Sequence, residues 1–190
     1  MRIYLVALIA SSLLAACASA PPNLMPARQQ VRDFALEARF ALRVSQPDQA
    51  PESSGGRLSW SHKNGGNHVL LSSPLGYGLA EIETTPTLSR LHTADGKTYE
   101  SADADALMEE LTGQRLPVTQ LPAWLLGRAS TSAQIDSDAL ERPTRLREAG
   151  WQIDYTYDDE TATALPARLT LSREREIELR LRIEEWKEAP

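Results

Sequence analysis

A mostly β fold with some α is what this sequence predicts: one curved antiparallel sheet or open, unclosed β-barrel, with short helices on its concave side. Three observations predict it. Apolar and polar residues alternate with a period of two in several segments, most cleanly where Ile177, Leu179, Leu181 and Ile183 face Glu178, Arg180, Arg182 and Glu184. Asn64-Gly65-Gly66-Asn67 and Asp95-Gly96 are hairpin signals, since glycine and asparagine accept the positive φ such turns need. The middle of the chain carries helical spacing with matching start and stop residues.

Val31, Phe34, Ala35 and Ala38 recur at helical spacing and predict a short amphipathic helix. Around Arg39 the period switches, and Phe40, Leu42 and Val44 alternate with Arg39, Ala41 and Arg43 as in a strand with one buried face. Pro47 to Gly56 reads as a polar Pro/Ser/Gly loop, after which Leu58 and Trp60 resume the alternation. His68 to Leu71 is the return strand of the first hairpin, Ser72 to Gly76 breaks it, and Tyr77 to Glu83 is extended again. Leu88 to His92 and Thr98 to Glu100 flank the Asp95-Gly96 turn. Asp103 and Asp105 favour a helix start, Leu107, Met108 and Leu111 form its stripe, and Gly113 stops it. A second short helix fits Thr119 to Leu126, with Pro122 in its first turn, Trp124 and Leu125 apolar, and Gly127 at its end. Trp151, Ile153, Tyr155 and Tyr157 then alternate with polar residues, and Leu169 and Leu171 do so after Pro166.

Ahead of this domain lies a segment of another kind. Arg2 is followed by an apolar run from Ile3 to Ala16, and Leu14-Ala15-Ala16 precedes Cys17. A run this short is a secretory signal and not a span. The Leu-Ala-Ala-Cys tetrad resembles a bacterial lipobox, whose cysteine takes a diacylglycerol and becomes the acylated first residue. Residues 1–16 are thus expected to be a lipoprotein signal peptide, 17–30 a lipidated tether and 31–190 a single domain. Multiple acyl chains on Cys17 would give lasting attachment, each buried methylene contributing roughly 0.8 kcal/mol. Ala18 stands where an aspartate is associated with inner-membrane retention in such lipoproteins, so the outer membrane is the expected site.

Cleavage before Cys17 leaves 174 of the 190 residues, enough for one core without a metal or disulfide staple. Cys17 is the sole cysteine, so no internal disulfide can form. Loss of Arg2 moves the formal charge from −6 to −7. Such acidity argues against non-specific nucleic-acid binding and against docking on anionic lipid by charge.

Enzymatic constellations fail one by one. Gly96-Lys97-Thr98 resembles the end of a phosphate-binding loop, but that motif needs glycine where Leu91 stands. No Gly-x-Ser-x-Gly elbow occurs. His62 and His68 straddle a hairpin, yet they and His92 lack the companion spacing of a metal site. Glu109-Glu110 and Asp158-Asp159-Glu160 read as solvated charge. No catalytic residue, metal or cofactor is expected.

The inward-facing set comprises Phe40, Leu42, Leu58, Trp60, Leu71, Trp151, Ile153, Leu181 and Ile183. Composition favours a solid barrel core over a ligand cavity, though open barrels can hold one apolar molecule between sheet and lid. Leu75, in a Ser-Pro-Leu-Gly turn, either folds back onto that core or points outward to touch a membrane or partner.

These residues resemble the LolB family, outer-membrane lipoproteins that form the terminal receptor of bacterial lipoprotein sorting. The resemblance spans most of the mature domain. It rests on the lipobox followed in order by Arg39-Phe40-Ala41, Trp60, Ser73-Pro74-Leu75-Gly76, Leu111-Thr112-Gly113, Leu116-Pro117, Trp124-Leu125-Leu126-Gly127, Gly150-Trp151, Leu165-Pro166 and Trp186. It implies that the helices are a lid over an apolar cavity for acyl chains, walled by the set above together with Trp124 and Leu125. It also implies that Pro74, Leu75 and Gly76 form a membrane-insertion loop. The implied partners are the periplasmic carrier LolA, the acyl chains of cargo lipoproteins and outer-membrane lipid. A monomer is expected, held by its N-terminal lipid on the periplasmic face of the outer membrane. The alternative is a structural lipoprotein that scaffolds an outer-membrane assembly complex.

Overall fold

The first and last strands of the chain pair with each other, and the rest of the sheet extends from that pair. In the computed structural model, residues 28–190 are described except 47, 113–115 and 175. The expected signal peptide, Cys17, most of the tether, Pro47 and Gly113 lie outside the described residues. The strands are β1 (Phe34–Val44), β2 (Glu52–Lys63), β3 (Gly66–Ser72), β4 (Gly78–Thr84), β5 (Ser89–Thr93), β6 (Thr98–Ser101), β7 (Gln134–Ser137), β8 (Pro143–Glu148), β9 (Trp151–Thr156), β10 (Arg168–Arg173) and β11 (Ile177–Lys187). They form one sheet in the order β6-β5-β4-β3-β2-β1-β11-β10-β9-β8-β7. Every neighbouring pair is antiparallel, and β6 and β7 are not joined, so the barrel is open. Helices α1 (Ala104–Thr112) and α2 (Leu121–Leu125) lie on the connection from one free edge to the other.

The helix expected over Val31–Ala38 is instead the start of β1. Phe34, Leu36 and Ala38 are all buried. Residues two apart point to opposite sides of a helix but to one face of a strand, so burying Leu36 with Phe34 requires the strand. A bulge then keeps both partners in register: Ala38 faces Ile183 while Glu37 faces Glu185, leaving Glu184 as the extra residue. This lets Ile183 and Trp186, three positions apart, both point inward. The Trp186 ring packs edge-on against Phe34 at 5.5 Å, and its Nε1 donates to Pro166 O at 3.0 Å.

The expected polar loop to Gly56 is shorter than composition suggested, since β2 begins at Glu52 and pairs along β1. Two glycines permit this. A Cβ on Gly56 would lie 1.9 Å from the Ser72 carbonyl oxygen, so only glycine allows β3 so close. The Asn64-Gly65 hairpin forms as expected, with φ of 52° and 76°. Strands β7 and β8 gave no usable sequence signal. β7 is exposed along its length, and of β8 only Pro143 and Leu146 are buried. Their link to β9 turns at Ala149-Gly150, with φ of 51° and 80°. Alanine is not a hairpin signature.

Helix α2 is tied firmly to the sheet. The Trp124 carbonyl accepts the Tyr155 hydroxyl at 2.8 Å, and its indole donates to Glu148 Oε2 at 2.6 Å. Glu148 Oε1 accepts the Ser130 backbone N–H at 3.0 Å. Burial alone would raise the Glu148 pKa, but the Ser130 and Trp124 hydrogen bonds outweigh it and hold the carboxyl below its ordinary value.

Gly56→Ala is expected to cost about 1–3 kcal/mol, lowering the melting temperature by roughly 3–10 °C. Gly78→Ala, where a Cβ meets nothing within 4 Å, should leave melting nearly unchanged, and calorimetry on both checks the contrast. A second prediction follows from the lowered Glu148 pKa. A depressed carboxyl stabilises the fold above its unfolded pKa and loses that contribution as pH falls through the folded value. Glu148→Gln should therefore be less stable than the parent at neutral pH. Urea titrations from pH 7 down to pH 3 should show the difference closing below about pH 4.5.

Candidate functional site

The concave side of the sheet divides into a filled half and a hollow half. On the side of β8 to β11, Leu146, Ile153, Tyr155 and Leu169 are almost wholly excluded from solvent, while Leu171 is buried but reaches the cavity described next. On the side of β1 to β5 a cavity of about 350 Å³ remains. Its wall includes Phe40, Leu42, Leu58, Trp60, Val69, Leu71, Ile82 and Leu91 from the first five strands, and Leu179 and Leu181 from β11. Met108 of α1 and the segment Leu116–Val118 with Leu121 cover it. Ser54, Asn67 and Thr84 are polar, and no charged side chain among the described residues lines it. The volume lies at the low end of the ~300–1,000 Å³ usual for small-molecule sites, with the apolar lining such sites have.

Seven of the eleven expected cavity residues line this space: Phe40, Leu42, Leu58, Trp60, Leu71, Trp151 and Leu181. Trp124, Leu125, Ile153 and Ile183 do not. Each is buried against other side chains: Trp124 and Leu125 anchor α2, while Ile153 and Ile183 fill the sheet beneath. Sequence alternation marks which residues point inward but cannot tell a filled interior from a hollow one. Trp151 stands at the boundary, lining the cavity and touching the Trp124 ring at 6.2 Å. The cavity residues absent from the expected set include Val69, Ile82, Leu91, Met108, Leu171 and Leu179 and the cover at Leu116–Val118. Those of β3 to β5 and the cover were hidden because these strands alternate weakly and the cover has no regular period.

Leu75 points outward, 84% exposed in the turn between β3 and β4. The turn is held by its own hydrogen bonds. Ser73 N donates to Tyr77 O at 2.8 Å, Gly76 N to Ser73 O at 2.9 Å, and Tyr77 N to Ser73 Oγ at 3.1 Å. Tyr77 is 72% exposed, Leu70 and Leu79 are also exposed, and no charged residue occurs from Val69 to Ala80. The result is an apolar projection at one end of the cavity.

The histidines are engaged in local pairs. His62 Nδ1 meets Asn67 Oδ1 at 2.8 Å, His68 Nε2 meets Glu81 Oε1 at 2.6 Å, and His92 Nδ1 meets Thr98 Oγ1 at 2.8 Å. His68, Glu81 and Glu83 are the one group of described residues whose side chains approach closely enough to share a cation, within 4.8 Å of one another. They sit on the outer face of the sheet, with Arg90 beside Glu83 at 3.8 Å. That face is away from the cavity.

The family described as "Outer membrane lipoprotein LolB" matches residues 32–186. The chain is 66% identical to the outer-membrane lipoprotein LolB of Dechloromonas aromatica (strain RCB), over 100% of each chain. It is 34% identical to that of Azoarcus sp. (strain BH72), over 97% of this chain and 96% of the relative. Among solved structures, a LolA superfamily protein from Nitrosomonas europaea aligns over 83% of this chain and 86% of its own, with a TM-score of 0.45 and 11% identity. From the family match and the full-length identity, the chain belongs to the LolB family of outer-membrane lipoproteins.

Proposed function

We propose that this chain receives lipoproteins at the outer membrane by taking their acyl chains into the apolar cavity, and then inserts them into that membrane. The observation that carries this reading is the cavity itself, hollow, uncharged among its described residues and roofed by helix. The donor is the periplasmic carrier LolA. Residues 1–16 are removed, and lipid on Cys17 holds the domain on the periplasmic face of the outer membrane. The apolar turn at Pro74, Leu75 and Gly76 touches the bilayer, where burying a leucine contributes about 1.5–3 kcal/mol.

The physical need is plain. Acyl chains cannot cross an aqueous compartment bare, since each exposed methylene costs roughly 0.8 kcal/mol. The chain carries no nucleotide-binding motif, so transfer runs down a gradient of affinity: tighter than the donor's grip, weaker than the bilayer's. Met108 of α1 is part of the cover over the cavity.

Two outcomes are expected. The full chain carrying Cys17→Ala should bind a fluorescent fatty-acyl probe at about micromolar Kd, read by emission of the probe and quenching of tryptophan. A folded chain that binds none would support a scaffold instead. Leu75→Glu should leave probe binding and uptake from LolA within about twofold of the parent while reducing delivery to vesicles by tenfold or more. Equal loss of uptake and delivery would place Leu75 in the cavity's function and not at the membrane.

A further inference from the structure

A second space adjoins the acyl cavity and has the opposite chemistry. This recess, about 510 Å³, lies at the end of the sheet formed by the β2–β3 and β4–β5 turns. Asn67 and Thr84, bonded to each other at 2.8 Å, border both spaces. Arg32 and Arg128 line the recess, and Arg28 lies behind its Leu126 wall, donating from Nη1 to Leu126 O at 3.1 Å. None of the three guanidinium groups has a carboxylate partner among the described residues. The Arg128 guanidinium donates to the Arg28 carbonyl, at 2.6 Å. Burial, then the neighbouring Arg28 and Arg32 charges, hold its pKa below the ordinary value.

Two buried groups point the same way. Arg28, 7% exposed, has an Nε without a hydrogen-bond partner. Ser89, 2% exposed, also lines the recess. Asp103 also borders the recess, but its carboxylate accepts Ala106 N at 3.0 Å as the cap of α1. Two guanidinium groups and one carboxylate line the recess, which leaves a net positive charge for an anion to meet.

We propose that this recess binds the phosphate of an amphiphile whose acyl chain lies in the adjoining cavity, as a phospholipid would. The proposal rests, for the chain, on the acyl-binding reading above. It gives the cavity a second class of occupant, a membrane lipid that fills the space between cargoes and is exchanged when cargo arrives.

The test uses the full chain carrying Cys17→Ala and three probes: dodecyl phosphate, dodecanol and inorganic phosphate. Dodecyl phosphate should bind about tenfold tighter than dodecanol, the gain expected of a charge-assisted hydrogen bond. Arg32→Gln with Arg128→Gln should remove that gain and leave dodecanol binding unchanged. Arg32 is exposed, so Arg32→Gln alone, expected to lose about threefold, keeps the comparison if the double variant does not fold. Equal affinity for the two dodecyl probes, or a gain that survives in both variants, overturns the proposal. Inorganic phosphate binding as tightly as dodecyl phosphate makes this a free-phosphate site and overturns the headgroup assignment. If neither dodecyl probe binds but inorganic phosphate does, the acyl-chain reading is what has failed, and the headgroup assignment falls with it.

Discussion

The pairing of β1 with β11 is the constraint on which the rest of the molecule depends. Strands β1 to β6 form one antiparallel meander and β7 to β11 another, and the two meet only along this ladder, from Ala35 opposite Lys187 to Val44 opposite Ile177. The contact joins opposite ends of the sequence, so its loop-closure cost is carried by the many hydrogen bonds and inward side chains of two long strands. Because the chain's ends are spent in the middle of the sheet, its middle must travel between the free edges. That connection carries both helices, which is why the lid lies over the concave face.

The two meanders are packed differently. Under α2 the interior is closed by indole, phenol and carboxylate contacts, with Tyr155 and Glu148 both reaching Trp124. Under α1 the interior is hollow. A sealed void of 350 Å³ would cost on the order of 8 kcal/mol at ~24 cal/mol per Å³, comparable to the whole stability of an ordinary domain. That figure is an upper bound for a space that communicates with solvent. An apolar occupant of such a hollow stabilises the domain that holds it.

Sequence patterning carried most of the sheet and little of the cavity. The clean alternation of Ile177 to Glu184 and the Asn64-Gly65 turn determine their elements because burial on one face and positive φ are local requirements. Val31 to Ala38 misled because both periods fit those residues, and the deciding fact, Leu36 buried beside Phe34, depends on a strand 150 residues away. Strands β7 and β8 were silent because an exposed edge needs no apolar repeat. For the site, alternation selected Phe40, Leu58 and Leu181 correctly as inward-facing, yet assigned Ile153 and Ile183 the same role. Which inward residues meet a neighbour and which meet empty space is decided by α1 and α2, whose positions no local pattern encodes.

The two ends of the hollow differ in chemistry, and this gives it a direction. Successive hairpins turn at alternate ends of a sheet, so Leu75 lies at one end and Gly65 and Pro86 at the other, separated by the seven residues of β3, about 23 Å. At the first end the chain is uncharged from Val69 to Ala80. At the second, Arg32 and Arg128 face a recess beside Asn67 and Thr84. An amphiphile lying along the cavity is therefore most stable with its tail toward Leu75 and its polar group toward the arginines, because the reverse leaves that group without donors. Under the proposed function, a bilayer met by Leu75 receives such a molecule tail first. No methylene then crosses water during the exchange, and the barrier that roughly 0.8 kcal/mol per methylene would impose on a bare chain does not arise.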